Sequence, residues 1–128
     1  MSCPRFFTKG REFMFKKNTL TLNRVYDTVA IKEGNTKLVL HVNADANRLV
    51  VGLFNAQKRL QSINEETTEE EREEISRYFA NIIFGEEQTQ ELFDYYYGDA
   101  SCVIAICGKY FAGRLGKLIT KAQKHETV

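Results

Sequence analysis

The stretch Thr67–Gly85, TTEEEREEISRYFANIIFG, carries the clearest structural signal in the chain. Thr67 and Thr68 each precede a glutamate by three residues, which is the spacing of a capping box at a helix start. The apolar residues that follow recur mostly at intervals of three and four: Ile75, Tyr78, Phe79, Ile82 and Ile83. Gly85 then ends the pattern. This stretch predicts an amphipathic helix with one buried face.

The glutamates of this stretch crowd its first two turns, where the helix dipole favours negative charge by about 0.3–1 kcal/mol each. A solvated helix start explains such a run. A metal site would need carboxylates that converge from several elements, which a sequence alone does not show.

Upstream, a second helix is indicated after Asp45, which can act as its cap. Its apolar positions are spaced by threes and fours: Ala46, Leu49, Val50, Leu53, Phe54 and Leu60. Gly52 and the β-branched pair Val50–Val51 leave a strand over residues 48–54 as an alternative.

The N-terminal third favours strands. Val25, Val29 and Ile31 share one face, with Asp27 breaking the pattern, and residues 33–36 supply turn chemistry. Strict alternation resumes through residues 38–42, which predicts a β-hairpin with His41 on its exposed face. Further alternation involves Phe13, Phe15, Leu20 and Leu22.

Downstream, a short helix is expected around residues 86–97, closed by a left-handed Gly98 and followed by Asp99 as the next cap. Three consecutive tyrosines point in three directions around a helix, so at least one should be exposed. Tyr95, Tyr96 and Tyr97 are therefore candidates for a partner-binding surface.

The last helix is expected from about Ala100 to Gln123. Its apolar seam consists of Ile104, Cys107, Phe111, Leu115, Leu118 and Ala122, widened by Val103, Tyr110 and Ile119. From this seam Phe111, Leu115 and Leu118 are further partner-binding candidates. Glycines within the helix each cost about 1 kcal/mol relative to alanine, which close helix approach or a bend near Gly108 would explain. They are Gly108, Gly113 and Gly116.

These elements predict an α+β fold, mainly α, in which a β-hairpin or short strands precede three to four packed amphipathic helices. With 128 residues, 43% of them hydrophobic, we expect a single domain. Its parts are a strand-rich segment (1–42), a helical segment (43–124) and a tail (125–128).

The net charge of +1 hides a segregation along the chain. Residues 1–32 sum to +5, residues 33–63 to +2, residues 64–99 to −10 and residues 100–128 to +4. This pattern suits contacts between parts of one molecule or between copies of it, and we expect a homo-oligomer.

No residue set for catalysis, cofactor binding or metal binding can be assembled, so we expect a protein that is not an enzyme. The three cysteines, Cys3, Cys102 and Cys107, form no zinc motif with His41 or His125. Segment 108–115 lacks the Lys-Ser/Thr pair of a phosphate-binding loop. There is no apolar run of membrane-spanning length and no secretory signal, which leads us to expect a cytoplasmic protein.

Several segments resemble small phage and prophage proteins of Gram-positive bacteria that are similar to the tail assembly chaperones of long-tailed phages. They are residues 83–92 (IFGEEQTQEL), Tyr96–Asp99, residues 117–124 (KLITKAQK) and the Asn43–Ala46 passage. The resemblance covers roughly residues 36–124. It implies a non-enzymatic helical protein that self-associates in the cytoplasm of the bacterial host. Its implied partners are the tape-measure or tail-tube protein. The resemblance leaves open whether this chain is the chaperone itself or a neighbouring tail morphogenesis protein.

The alternative is a small nucleic-acid-binding regulator of a mobile element, which we regard as less favoured. Its basis is the basic, aromatic N-terminus: Arg5, Phe6, Phe7, Lys9, Arg11, Phe13, Phe15, Lys16 and Lys17. The −10 segment opposes it, because a polyanion would be repelled there. An enzyme would have to use the tyrosines with Asp94 and Asp99, and such groups are usually structural.

Overall fold

A computed structural model describes residues 23–124 of the chain. Its elements are β1 (Arg24–Glu33), β2 (Thr36–Asp45), α1 (Ala46–Gln61), α2 (Glu69–Phe84), α3 (Glu86–Tyr95), α4 (Ala100–Tyr110), a π-helical segment (Phe111–Leu115) and α5 (Gly116–Lys124). The predicted class, α+β and mainly α, is confirmed. The strands expected within residues 13–22, the basic aromatic N-terminus, Cys3, His125 and the tail lie outside the described residues.

The two strands form an antiparallel hairpin in which Glu33 faces Thr36 across a two-residue turn. Gly34 lies in the turn with φ of +58°, a conformation that favours glycine. One face of the hairpin is buried through Val25, Ile31, Leu40 and Val42, while His41 is exposed as predicted. β2 continues to Asp45, three residues beyond the expected end of the strand-rich part.

Helix α1 begins where the Asp45 carboxylate accepts a hydrogen bond from the Arg48 amide at 3.1 Å. The alternative of a strand over residues 48–54 is therefore wrong. α1 packs very closely on α2, because a Cβ atom added at Gly52 would lie 2.8 Å from Cγ2 of Ile82.

Helix α2 lies at the centre of the fold and contacts α1, α3, α4 and β2. It begins with a complete capping box, in which Thr68 Oγ1 accepts from the Glu71 amide and the Glu71 carboxylate accepts from the Thr68 amide. Of the two threonines that fit the motif, Thr68 is the cap. Gly85, with φ of +87°, ends the helix as predicted.

Helix α3 contacts β2 and is fixed to it by the side-chain amide of Gln88. Gln88 accepts a hydrogen bond from the His41 amide at 2.7 Å and donates one to the His41 carbonyl at 2.6 Å. Gly98 adopts φ of +79°, and the Asp99 carboxylate accepts from the amides of Ser101 and Cys102. The predicted turn and cap between α3 and α4 are thus confirmed.

The final helix is a continuous rod that contains a π-helical segment, where the sequence predicts an uninterrupted α-helix. The buried positions of the rod are Val103, Cys107, Tyr110, Leu115 and Ile119. The step of five from Tyr110 to Leu115 reflects the wider π turn. Phe111 is thereby rotated off the buried face, contrary to the predicted seam, and is 38% exposed.

The expectation of close helix contact at Gly108 and Gly113 is wrong. A Cβ atom at either position would meet nothing within 4 Å, whereas one at Gly116 would lie 3.2 Å from the Phe111 carbonyl oxygen. The close approach occurs instead at Gly52, in a different helix.

Candidate protein-binding groove

Helices α1 and α4 both pack against α2, and an apolar groove lies between them. The groove has a volume of about 250 Å³ and is lined by Leu53, Gln57, Leu60, Phe79, Ile104, Gly108 and Phe111. Gln57 is the single polar residue in this lining. The volume lies below the range of about 300–1,000 Å³ that is usual for small-molecule sites, so it suits a few protein side chains better than a metabolite.

Helical spacing produces the two walls of this groove. Leu53, Gln57 and Leu60 are four and three residues apart on α1, and the α4 wall repeats that spacing through Ile104, Gly108 and Phe111. The open space around Gly108 keeps the groove deep. No contact within the described residues accounts for the stability cost of this glycine, but an accessible groove does.

An apolar strip on the exposed side of α1 adjoins the groove. Val50, Val51 and Phe54 are 40%, 62% and 58% exposed. The sequence predicts Val50 and Phe54 as inward-facing, and the structure corrects both assignments. The cause is that the apolar arc of α1 is wider than the surface that the neighbouring helices cover. Exposed large apolar residues beside an apolar groove are typical of a protein-binding surface.

Charge is segregated by element around the groove. Helix α1 carries basic residues and no acidic ones, and the same holds for residues 100–124. The basic residues are Arg48, Lys58 and Arg59 on α1, and Lys109, Arg114, Lys117, Lys121 and Lys124 on the last rod. The charged residues of α3 are all acidic, as are most of those at the start of α2. The charged residues of the two wall helices are therefore all basic: Arg48, Lys58 and Arg59 on α1 and Lys109 on α4.

The three predicted tyrosines take three different environments. The Tyr95 hydroxyl lies 2.9 Å from Thr36 Oγ1, and its ring meets the Tyr96 ring edge-on at 5.2 Å. Burial, with the nearby Glu33 carboxylate, raises the pKa of Tyr96. Tyr97 is 97% exposed. Tyr95 and Tyr96 thus serve mainly to hold α3 against the hairpin, and Tyr97 alone projects freely.

The predicted residues of the last helix also separate. Phe111 lies in the groove. Leu115 is completely buried, so its assignment to a partner surface is corrected: the π turn moves it into the core. Leu118 is half-buried and lines a different groove, of about 260 Å³, between β1 and α5. Leu53, Leu60 and Phe79 were not predicted as groove residues, because the apolar periodicity of a helix is the same whether a residue lines a groove or lies in the core.

The Asp27 carboxylate, which interrupts the strand pattern, meets the π-helical region. It accepts hydrogen bonds from the Tyr110 hydroxyl at 2.7 Å and from Arg114 Nε and Nη2 at 2.7 and 2.9 Å. Arg114 lowers the pKa of Asp27, whereas burial raises the pKa of Tyr110. Three hydrogen bonds converge on one carboxylate, so this cluster fixes the rod to the sheet.

Other chemistry is sparse in residues 23–124. This part of the chain holds no group of three or more His, Cys, Asp and Glu side chains that could bind a metal ion. Burial raises the pKa of the Cys107 thiol to about 12, which makes it a poor nucleophile. The segment 108–115 is helical, so its amides do not form a phosphate-binding loop.

No family model, no curated protein and no solved structure matches this chain. Within the described residues, none of the helices combines the length and the apolar character that crossing a bilayer requires.

Proposed function

We propose that this protein is a non-enzymatic assembly chaperone that holds an amphipathic helix of a guest protein in the groove between α1 and α4. The observation that carries the proposal is the groove itself, open and apolar, with the exposed Phe111 in its lining and the exposed Phe54 next to Leu53 on α1. In helix-in-groove recognition the bound helix inserts apolar anchors at positions i, i+3 or i+4, and i+7 into an apolar groove between helices, and the groove between α1 and α4 has that apolar character.

The basic residues of α1 and α4 add a preference for the charge of the guest. Because α1 and α4 carry no acidic residue, a helix with acidic residues beside its apolar face would meet complementary charge on both sides. Such rim charges mainly affect orientation and association rate, while the buried apolar anchors supply most of the affinity.

The resemblance to tail assembly chaperones supports the specific form of this function. In that role the guest is the phage tape-measure protein, kept soluble in the bacterial cytoplasm while tail-tube subunits assemble around it, and the chaperone acts as a homo-oligomer. No cofactor and no metal is needed for such binding.

Co-expression with a phage tape-measure protein as the guest tests the function. We expect the wild type to increase the soluble fraction of the guest, and Gly108→Leu to abolish that effect by filling the groove. Gly113→Leu is the matched control, since Gly113 also has open space but does not line the groove. Two results would contradict the proposal. One is an equal soluble fraction of the guest with the wild type, Gly108→Leu and Gly113→Leu; the other is no increase by the wild type over the guest expressed alone.

A second candidate function, nucleic-acid binding, has one specific observation in its favour. The groove between β1 and α5 brings Arg24 and Lys121 beside Tyr26, whose ring is 68% exposed. Cations next to an exposed aromatic ring can bind phosphates and stack on bases. A gel-shift with mixed DNA and RNA at low salt tests it, and retardation that Tyr26→Thr removes would favour this candidate over the first.

A further inference from the structure

The turn between α3 and α4 projects one aromatic ring into solvent. Tyr97, at 97%, is the most exposed of the large apolar side chains in residues 23–124. Its φ of 57° is the one positive value for a non-glycine residue in that range, a conformation that costs of order 1 kcal/mol or more. Hydrogen bonds from the Gly98 amide to the Phe93 carbonyl (2.7 Å) and from the Asp99 amide to the Tyr96 carbonyl (3.1 Å) hold the turn.

The helix and turn that carry this ring have only acidic charged residues. From Glu86 to Asp99 every charged residue is acidic: Glu86, Glu87, Glu91, Asp94 and Asp99. The groove has an apolar lining, and the charged residues of the two helices that form it are all basic. Because Tyr97 is almost fully exposed, it does not lie in the groove of its own molecule.

We propose that, in the absence of a guest, Tyr97 of one molecule occupies the groove of a second copy. The proposal rests on the proposed function, since the groove is the same one and a guest helix displaces the tyrosine. A tyrosine suits this site because its apolar ring can be buried against Phe79 and Ile104 while its hydroxyl bonds to Gln57 or to solvent. The acidic turn then faces the lysines of α1 and α4.

The interface is heterologous, because the ring and the groove lie on different surfaces of each molecule. Each copy offers one ring and one groove, so association continues head to tail into a closed ring or an open chain. Tyr97 would be the central aromatic anchor, the kind of residue that dominates the affinity of an interface.

Sedimentation velocity of the full-length chain tests the proposal. We expect concentration-dependent association of the wild type, weakened by raising NaCl from 50 to 500 mM. Tyr97→Asn and Gly108→Leu should each weaken it roughly tenfold or more. Asn tolerates positive φ, and Gly108→Leu improves helix propensity, so both variants should fold. Tyr26→Thr and Gly113→Leu are the controls and should associate like the wild type.

Mixing the two defective variants gives the sharpest result. Tyr97→Asn keeps a free groove and Gly108→Leu keeps a free ring, so together they should form a 1:1 dimer that grows no further. A mixture that stays monomeric, or a Tyr97→Asn protein that associates as the wild type does, would overturn the inference.

Guest binding separates this inference from the proposed function. Guest solubilisation by Tyr97→Asn equal to that of the wild type, with a monomeric wild type, would overturn the head-to-tail interface and leave the chaperone function standing. Failure of the wild type to solubilise the guest, with intact complementation between the variants, would overturn the function and support the interface.

Discussion

Arg114 and Asp27, 87 residues apart in the chain, are joined by two parallel hydrogen bonds of 2.7 and 2.9 Å between guanidinium and carboxylate. The Asp27 side chain is only 7% exposed, while that of Arg114 is 63% exposed. The pair joins the middle of β1 to the π-helical segment, and the Tyr110 hydroxyl completes the coordination of the carboxylate. A polar residue on the buried face of the hairpin is thereby satisfied.

Replacing Asp27 with Asn should destabilise the fold by about 1–3 kcal/mol at pH 7, because the Tyr110 hydroxyl and the Arg114 guanidinium lose hydrogen bonds to a charged carboxylate that is itself buried. The pKa of Asp27 is lowered in the folded protein, so its stabilising effect is present above its unfolded value near 3.8 and is lost as the pH falls through the folded value. Urea unfolding at pH 7, 5 and 3 measures this. The difference between wild type and Asp27→Asn should be similar at pH 7 and 5 and smaller at pH 3. A difference that grows towards low pH would contradict the assignment.

Removing the cap of α2 should have a defined cost. Thr68→Ala deletes the side-chain acceptor of the Glu71 amide and should cost about 1 kcal/mol, or roughly 4 °C in Tm. Thr67→Ala is the comparison, since Thr67 Oγ1 accepts only from the Asn64 amide in the preceding loop. Thermal unfolding followed by circular dichroism should show a larger decrease in Tm for Thr68→Ala than for Thr67→Ala. A larger decrease for Thr67→Ala would contradict the assignment of Thr68 as the cap.

The glycines of α1 and α4 should respond oppositely to alanine. Gly52→Ala forces a methyl group to within 2.8 Å of Ile82 and should destabilise the fold by about 1–3 kcal/mol. Gly108→Ala meets open space and should stabilise the fold by up to about 1 kcal/mol. Chemical denaturation measures both. Gly52→Ala should destabilise the fold less when Ile82→Ala is also present, because the smaller side chain leaves room for the added methyl group. If the two changes in unfolding free energy simply add, the close contact between Gly52 and Ile82 is contradicted.

Thiol labelling should separate the two described cysteines. Burial raises the pKa of Cys107 to about 12, and Cys107 is completely buried, whereas Cys102 is half-buried. In a Cys3→Ser background at pH 8, one thiol should react with Ellman's reagent in the folded protein and the second only in denaturant. Rapid labelling of Cys107 in native protein, identified by peptide mapping, would show that the rod is not packed as described.

Short-range signals predicted much of this fold. The Asp45 and Asp99 caps, the Gly85 helix end and the left-handed Gly98 are set by residues within a few positions of each other, and all are observed. The π-helical segment could not be predicted in this way. It positions Tyr110 and Arg114 to meet Asp27, more than 80 residues earlier in the chain.

The candidate site was harder to predict than the fold. Apolar periodicity marks Leu53, Phe54 and Phe111 alike, and only the packing of α1 and α4 on α2 decides which of them are exposed. The free ring of Tyr97 could be anticipated from three adjacent tyrosines. The depth of the groove could not, since it depends on Gly108 facing no neighbour.

Helix binding in the groove is tested by an NMR titration of the ¹⁵N-labelled protein with a synthetic amphipathic helix that carries leucines at i, i+4 and i+7 and glutamates beside them. We predict saturable amide shifts clustered at Leu53, Leu60, Ile104 and Gly108, and their loss in Gly108→Leu but not in Gly113→Leu. Shifts centred on Tyr26 and Lys121 instead, or no shift at millimolar peptide, would contradict it.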